Sequence, residues 1–183
     1  MKICLCLFMA AAMLLSSTCL ADEPEGEFDR GRPYGRFSLG PIFAPELRGF
    51  DFNTGVNVEG ALGYRFKLPL RAELAVDYAR QSTRGWGSSK AFSRTSYMVN
   101  GYVDLPNPTP VTPFAGAGIG WYEIDFKRAR ASSTGAAANF MGGVYVKVAS
   151  NAAIYANYKY FRELDESPPY KSHGAMIGVM VSF

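Results

Sequence analysis

From Tyr34 onward, apolar and polar residues alternate along the chain with a period of two. In VNVEGALGYRF, Val56, Val58, Gly60, Leu62, Tyr64 and Phe66 share one parity, and Asn57, Glu59, Ala61, Gly63 and Arg65 the other. Successive side chains of a strand point to opposite faces, so the pattern predicts a strand with one apolar and one charged face. LRAELAVDYAR repeats it, setting Leu70, Ala72, Leu74, Val76 and Tyr78 against Arg71, Glu73, Ala75 and Asp77. SYMVNGYVDL sets Tyr97, Val99, Val103 and Leu105 against Asn100, Tyr102 and Asp104. FMGGVYVKV sets Phe140, Val144, Val146 and Val148 against Tyr145 and Lys147, and IYANYKYF sets Ile154, Ala156, Tyr158 and Tyr160 against Tyr155, Asn157 and Lys159. The closing run GAMIGVMVSF places Ala175, Ile177, Val179, Val181 and Phe183 on one face.

YGRFSLGPIF and PFAGAGIGWYEI bring the count to eight strands. Each is roughly ten residues long, which is what a tilted strand needs to cross a bilayer. The fifth strand resists a face assignment, because Gly116, Gly118 and Gly120 share a parity with Phe114 and Tyr122. Small residues there would admit bulky neighbours in a tight interior.

The connections alternate too. Breaks after the second, fourth and sixth strands (KLP, PNPTPV, SNA) are compact and turn-forming. Those after the first, third, fifth and seventh (PELRGFDFN, QSTRGWGSSK, DFKRARASSTGAA, RELDESPPYKS) are longer. Short turns at one rim and long loops at the other define an up-and-down meander, and an even strand number with such unlike rims is the layout of bacterial outer-membrane barrels. The expected fold class is therefore all-β: an eight-stranded antiparallel up-and-down transmembrane β-barrel over residues 34–183.

A soluble calyx alternates as well, with its apolar face inward. Three features favour the membrane. Aromatics gather near strand ends on the apolar face (Phe37, Phe43, Tyr64, Phe66, Tyr78, Tyr97, Phe140, Phe183), as two interfacial girdles would. The charged face mixes both signs: Arg36, Glu59, Arg65, Arg71, Glu73, Asp77, Asp104, Lys147 and Lys159. Those residues can neutralise one another in a narrow lumen, where an unpaired charge is costly. Thirdly, an inward Phe183 would leave a fraying end to anchor a core, whereas a lipid-facing one joins a girdle.

The N-terminus changes the picture further. In MKICLCLFMAAAMLLSSTCLADEPEG, Lys2 precedes an apolar run from Ile3 to Leu15, then small polar residues, then an acidic switch at Asp22. That is the layout of a secretory signal peptide over residues 1–21, cut after Ala21. Residues 22–33 read as a disordered acidic lead. The three cysteines (Cys4, Cys6, Cys19) all fall in the signal segment, so the exported chain is expected to carry no disulfide. A net charge of +3 does not suggest nucleic-acid binding.

The signal segment, the eight strands, TPFAGAGIGWYEIDF and the terminal SHGAMIGVMVSF together resemble the small outer-membrane β-barrel family of Gram-negative bacteria, which includes opacity-type surface antigens and the membrane domain of outer-membrane protein A. The resemblance implies an assembly signal of the form Gly-x-x-apolar-x-aromatic, matched by Gly178, Val181 and Phe183 and read by barrel assembly machinery and periplasmic chaperones. Met176 departs from the polar residue that the family prefers two before the glycine. Because the eighth strand ends the sequence, no periplasmic peptidoglycan-binding domain is expected to follow. Cys19 follows Ser16, Ser17 and Thr18, a poor match to the Leu-x-Ala/Gly-Cys pattern of lipidated proteins.

Candidate chemistry is sparse. Side chains fill a lumen of eight strands, so a general porin is not expected, and the interior charges read as a structural ion-pair network. Lipid A deacylases and palmitoyl transferases exist on this scaffold, and a deacylase of that type resembles a His-x-Ser dyad. The single histidine, His173, sits in KSHGAM with Ala175 two residues on, and Ser172 points to the other face. Glu163, Asp165 and Glu166 are near in sequence, but nucleophile and base are not in hydrogen-bond spacing, so no catalytic residues are assigned. With one His and no mature Cys, no metal or cofactor site is expected. Basic residues flank two long loops: Arg80, Arg84, Lys90 and Arg94 the second, and Lys127, Arg128 and Arg130 the third. At an outer rim, Arg84, Lys90, Lys127, Arg128 and Arg130 would meet the phosphates of lipopolysaccharide or a host polyanion. Trp86 is an aromatic candidate for the same contact. The expected role is structural or surface-interaction; a lipid A-modifying enzyme and a soluble secreted ligand-binding barrel are the alternatives.

Overall fold

The computed structural model describes residues 31–43, 51–52, 54–84, 90–126, 131–165 and 169–183. The proposed signal peptide and nearly all of the acidic lead lie outside these residues. Eight long strands follow one another: β1 (Arg32–Phe43), β2 (Gly55–Arg65), β3 (Leu70–Arg84), β4 (Lys90–Asp104), β5 (Val111–Phe126), β6 (Ala131–Ala149), β7 (Ala152–Glu163) and β8 (Lys171–Ser182). Asp51–Phe52 continues β2 outward, pairing with Arg84 and Thr83 at a shifted register.

Each strand pairs antiparallel with the next, and β8 pairs with β1, so the sheet closes without an edge. The register shows how it closes. Pro33 stands opposite Tyr64, then Ala72, Gly101, Ala117, Phe140, Tyr160 and His173, and His173 stands opposite Phe43. One circuit thus climbs from Pro33 to Phe43 along β1. That stagger is what tilts the strands, typically by about 35–45°, and makes the barrel narrow.

The alternation seen in the sequence becomes two surfaces. Outward positions carry Leu62 at 68% exposure, Ile119 at 67% and Trp121 at 70%, whereas Glu73 is 2% and Asp77 0% exposed. Apolar outside and charged inside is an arrangement for lipid, since water would leave this belt as one very large apolar patch. The fifth strand is resolved as well. Phe114, Tyr122 and Ile124 are buried, and Ile119 and Trp121 face out, so the β5 glycines line the interior. A Cβ at Gly118 would stand 2.0 Å from Asn100 Oδ1, and one at Gly120 1.9 Å from the Tyr97 carbonyl oxygen. The neighbouring strand comes too close there for any side chain.

The two rims differ as expected. Compact turns join β2 to β3 over 66–69, β4 to β5 over 105–110 and β6 to β7 over 150–151. In the second of these, Asn107 Oδ1 accepts from the Thr109 amide at 2.9 Å, a turn made by a side chain that mimics backbone. At the other rim β3 and β4 run 15 residues each, β5 16 and β6 19, against 11 or 12 for the remaining four. Strand structure therefore extends well into the expected loops QSTRGWGSSK and DFKRARASSTGAA. The β3–β4 and β5–β6 hairpins are longer than the roughly ten residues that a bilayer crossing needs.

Candidate functional site

Among the described residues, five buried cations (Arg36, Arg65, Arg71, Arg94, Lys159) share the lumen with five buried anions (Glu59, Glu73, Asp77, Asp104, Glu163). Parity alone turns them inward: Arg36 from β1, Glu59 and Arg65 from β2, Arg71, Glu73 and Asp77 from β3, Arg94 and Asp104 from β4, and Lys159 and Glu163 from β7. Most of them join into one chain of alternating sign along the lumen. Asp104 Oδ1 lies 2.9 Å from Arg71 Nη2, and Arg71 Nη1 3.5 Å from Glu73 Oε1. Glu73 Oε2 lies 2.7 Å from Arg36 Nη2, which also pairs with Glu59. Glu59 accepts from Lys159 Nζ, which donates to Asp77 Oδ2 at 2.7 Å as well. Arg94 closes the series, its Nη2 donating to Asp77 Oδ1 at 3.1 Å.

Aromatic faces and hydroxyls line this chain. The Tyr34 hydroxyl donates to Glu73 at 2.6 Å, and Arg36 Nη1 donates to the Tyr155 hydroxyl at 2.9 Å. The guanidinium of Arg71 lies 4.6 Å from the Tyr102 ring centre, and that of Arg94 3.6 Å from Phe161. Such contacts stabilise a cation that has lost its water. Apolar side chains gather toward both ends. Tyr102, Phe114, Met141, Tyr145 and Tyr155 cluster toward the short-turn rim, and Tyr122, Ile124, Phe161 and Tyr170 toward the other. Tyr170 donates its hydroxyl to Gln81, and burial raises its phenol above the ordinary range.

Eight of the nine charges expected inside are buried there: Arg36, Glu59, Arg65, Arg71, Glu73, Asp77, Asp104 and Lys159. Lys147 is the exception. It has the inward parity but is exposed, since it lies two residues from the end of β6 beside the 150–151 turn. Arg94 is the reverse case. Expected at a loop, it is a fully buried lumen residue, because β4 begins at Lys90 rather than near Ser96 and continues the inward parity of Ser96, Met98 and Asn100. The sequence held the signal, since Arg94 lies an even number of residues before Asn100.

Of the loop cations, Arg84 is the last residue of β3 and Lys90 the first of β4. Lys127, Arg128 and Arg130, together with Trp86, lie outside the described residues. His173 is half-buried on the outer wall, sharing a hydrogen bond between Nδ1 and the Tyr158 hydroxyl. Ser172 is buried in the lumen, where Arg94 Nη1 donates to its Oγ at 3.2 Å. Glu163 is buried too and accepts from the Tyr170 amide at 3.1 Å, so neither faces His173. Of the terminal triplet, Phe183 is an outward residue whose amide donates to the Pro33 carbonyl at 3.1 Å. A Cβ at Gly178 would stand 2.2 Å from the Phe37 carbonyl oxygen, so β8 lies close against β1 there.

A charged lumen inside an apolar belt is how a barrel sits in an outer membrane, and comparison with known proteins agrees. The family described as "Outer membrane protein beta-barrel domain" matches residues 6–183. The chain belongs to that family. Uncharacterized proteins of Brucella abortus and Brucella suis are 32% identical over 93 residues, a match spanning 39% of this chain and about a third of theirs. Among solved structures, this outer-membrane barrel is similar to Neisserial surface protein A, with a TM-score of 0.68 and 23% identity over 82% of this chain and 97% of that one. It is similar also to the Pseudomonas aeruginosa outer membrane protein OprG (TM-score 0.57, 13% identity, 84% and 96% covered). A third is the attachment invasion locus protein Ail of Yersinia pestis, in complex with the heparin analogue sucrose octasulfate (TM-score 0.52, 16% identity, 85% and 100% covered). At these identities the likeness is one of fold; barrels of this class keep short turns in the periplasm and longer loops outside.

Proposed function

We propose that this outer-membrane barrel is a closed, non-catalytic anchor that holds two long basic hairpins at the cell surface, where they engage polyanions. The observation that carries the reading is the lumen. A continuous chain of ion pairs from Asp104 to Arg94 runs along it, with aromatic clusters toward either end. A transport path would need those ion pairs to part, each at the cost of stranding a buried charge. What is left to interact is the outer rim. The extra length of β3, β4, β5 and β6 carries Arg84 and Lys90 outward, with Lys127, Arg128 and Arg130 in the adjoining hairpin. Arginine forks and lysine ammonium groups suit phosphate and sulfate. The sulfated ligand of Ail supports the same choice of chemistry on this scaffold.

Replacing Arg84, Lys90, Lys127 and Arg128 together by Gln is expected to weaken binding of intact cells to immobilised heparin and lipopolysaccharide by roughly a thousandfold, since each of the four charged contacts contributes about 1 kcal/mol. Equal capture of wild type and variant would contradict the surface reading. A non-catalytic role predicts that His173→Ala leaves the acylation pattern of lipid A unchanged in cells, as read by mass spectrometry. An altered pattern, restored by the wild-type chain, would overturn it. Recognition of Gly178, Val181 and Phe183 by the assembly machinery belongs to the same proposal.

A further inference from the structure

The short-turn rim carries cations of its own, apart from the lumen chain and the long hairpins. Arg32 at the start of β1, Lys67 in the 66–69 turn and Lys147 near the end of β6 are exposed there. Arg32 stands opposite Arg65 in the register, and Lys147 shares the parity of Tyr145, to whose hydroxyl Arg65 donates at 3.1 Å. Arg32 and Lys147 therefore lie on the lumen side of the wall, around the mouth. The rim as a whole is cationic. Its turns at 66–69, 105–110 and 150–151 contain no Asp or Glu. Asp104, which ends β4 at this rim, is buried and held by Arg71 at 2.9 Å. The carboxylate of Phe183, beside Pro33, offsets one of the three exposed charges.

The segment that leads into this rim has the opposite sign. Residues 22–30 read DEPEGEFDR, with five carboxylates and one arginine. They lie outside the described residues, but the point from which they set out is fixed. The Gly31 amide donates to the Arg65 carbonyl at 2.8 Å, and the Gly31 carbonyl accepts from the Tyr64 hydroxyl at 3.1 Å. The φ of Gly31 is 84°, in the left-handed region, so the chain before it does not run on along the line of β1. A Cβ at Gly31 would stand 3.9 Å from Lys67 Cγ, so the acidic lead sets out beside one of the rim cations. Nine extended residues reach about 30 Å. Eight tilted strands about 4.8 Å apart make a ring roughly 16 Å wide, so the lead is long enough to cross the mouth.

We infer that the acidic lead docks on the short-turn rim, its carboxylates among Arg32, Lys67 and Lys147. The lead rather than a free polyanion is the occupant, because its tether holds it at an effective concentration in the millimolar range. A single exposed ion pair contributes little, so docking needs several together, and the spacing of the five carboxylates supplies them. A segment too acidic to fold by itself gains order only against such a partner. The site uses none of the hairpin cations, so it stands or falls separately from the surface reading.

The test uses the chain purified from outer membranes, which holds no cysteine from Asp22 onward, reconstituted in lipid nanodiscs. Gly26→Cys in the lead and Ser150→Cys in the turn after β6 are spin-labelled, and double electron–electron resonance reads the distance between them. Docking predicts one maximum less than about 6 Å wide, half the roughly 12 Å spread of a free five-residue tether to Gly31. The distribution should widen to that free spread when all five lead carboxylates become amides, and again when Arg32, Lys67 and Lys147 become Gln. Salt at about 1 M, which shortens the screening length to about 3 Å, should do the same. Lys67→Arg keeps the charge and Arg80→Gln lies toward the other rim, so both should keep the narrow maximum. Heat-modifiable gel mobility verifies that each variant is folded, and the lead variant alters no residue of the barrel itself. A wide distribution in the parent chain, or a narrow one that survives loss of the lead's charge, would overturn the docking. So would narrowing seen only on addition of anionic peptidoglycan fragments, which would give the rim to a cell-wall polyanion instead.

Discussion

Arg36 holds the middle of the lumen chain, with Glu73 and Glu59 on its guanidinium and the Tyr155 ring 5.2 Å away. An ion taken from water into this interior loses hydration worth several kcal/mol, and only close counter-charges and hydrogen bonds offset that loss. The consequence at this scale is asymmetric. Arg36→Met takes the closest shared cation from two buried carboxylates, leaving Glu59 to Lys159 and Glu73 to Arg71, and is expected to destabilise the barrel by about 3–5 kcal/mol in urea unfolding from lipid vesicles. Adding Glu73→Gln should recover part of that loss, since the two sites share one interaction. A change near zero in the single variant would mean that the chain of ion pairs does not hold the lumen. Not every residue of this chain was visible beforehand. Arg94 has the right parity, but parity helps only once the start of the strand is known, and β4 starts at Lys90 in polar sequence that reads as loop. Lys147 fails for another reason: it has the inward parity but lies at the end of β6 beside a turn, and alternation does not mark where the lumen ends.

The eight elements themselves were legible almost throughout, because each has an apolar face that must meet lipid and a polar face that must meet other polar groups. That constraint writes the period of two directly into the sequence. The fifth strand was the ambiguous one, since glycine has no side chain to mark a face. Its reason lies on other strands, in Asn100 and the backbone at Tyr97, which press against it. Strand ends at the outer rim were the least legible, because sheet continues there without a bilayer to demand apolar residues. The last element, β8, carries a prediction of its own. Phe183 is tied to β1 through its amide and presents its ring outward. Phe183→Ala is expected to lower the amount of heat-modifiable barrel in isolated outer membranes several-fold, with precursor accumulating in the periplasm. Wild-type levels in the variant would separate the terminal aromatic from assembly.

At the scale of the whole molecule, two surfaces do different work. The inner one pairs its charges among themselves; the outer one is apolar around its waist and carries cations toward the long-hairpin rim. Binding chemistry was less legible than fold, and for a physical reason. Strand geometry is imposed by the membrane on every residue, whereas a rim cation serves a ligand equally well from many positions. The gathering of Arg32, Lys67 and Lys147 at one rim illustrates this, since it depends on where β1, β2 and β6 begin or end and not on any local motif. The most direct test of the account is a spin-label scan along β7 in reconstituted bilayers, reading collision with oxygen against collision with a water-soluble nickel chelate at positions 154 to 160. The account predicts that oxygen access peaks at Ile154, Ala156 and Tyr158 and falls at Tyr155, Asn157 and Lys159, with nickel access low at the outward positions. High nickel access at Ile154, Ala156 and Tyr158 would put water where the account puts lipid, and would contradict it.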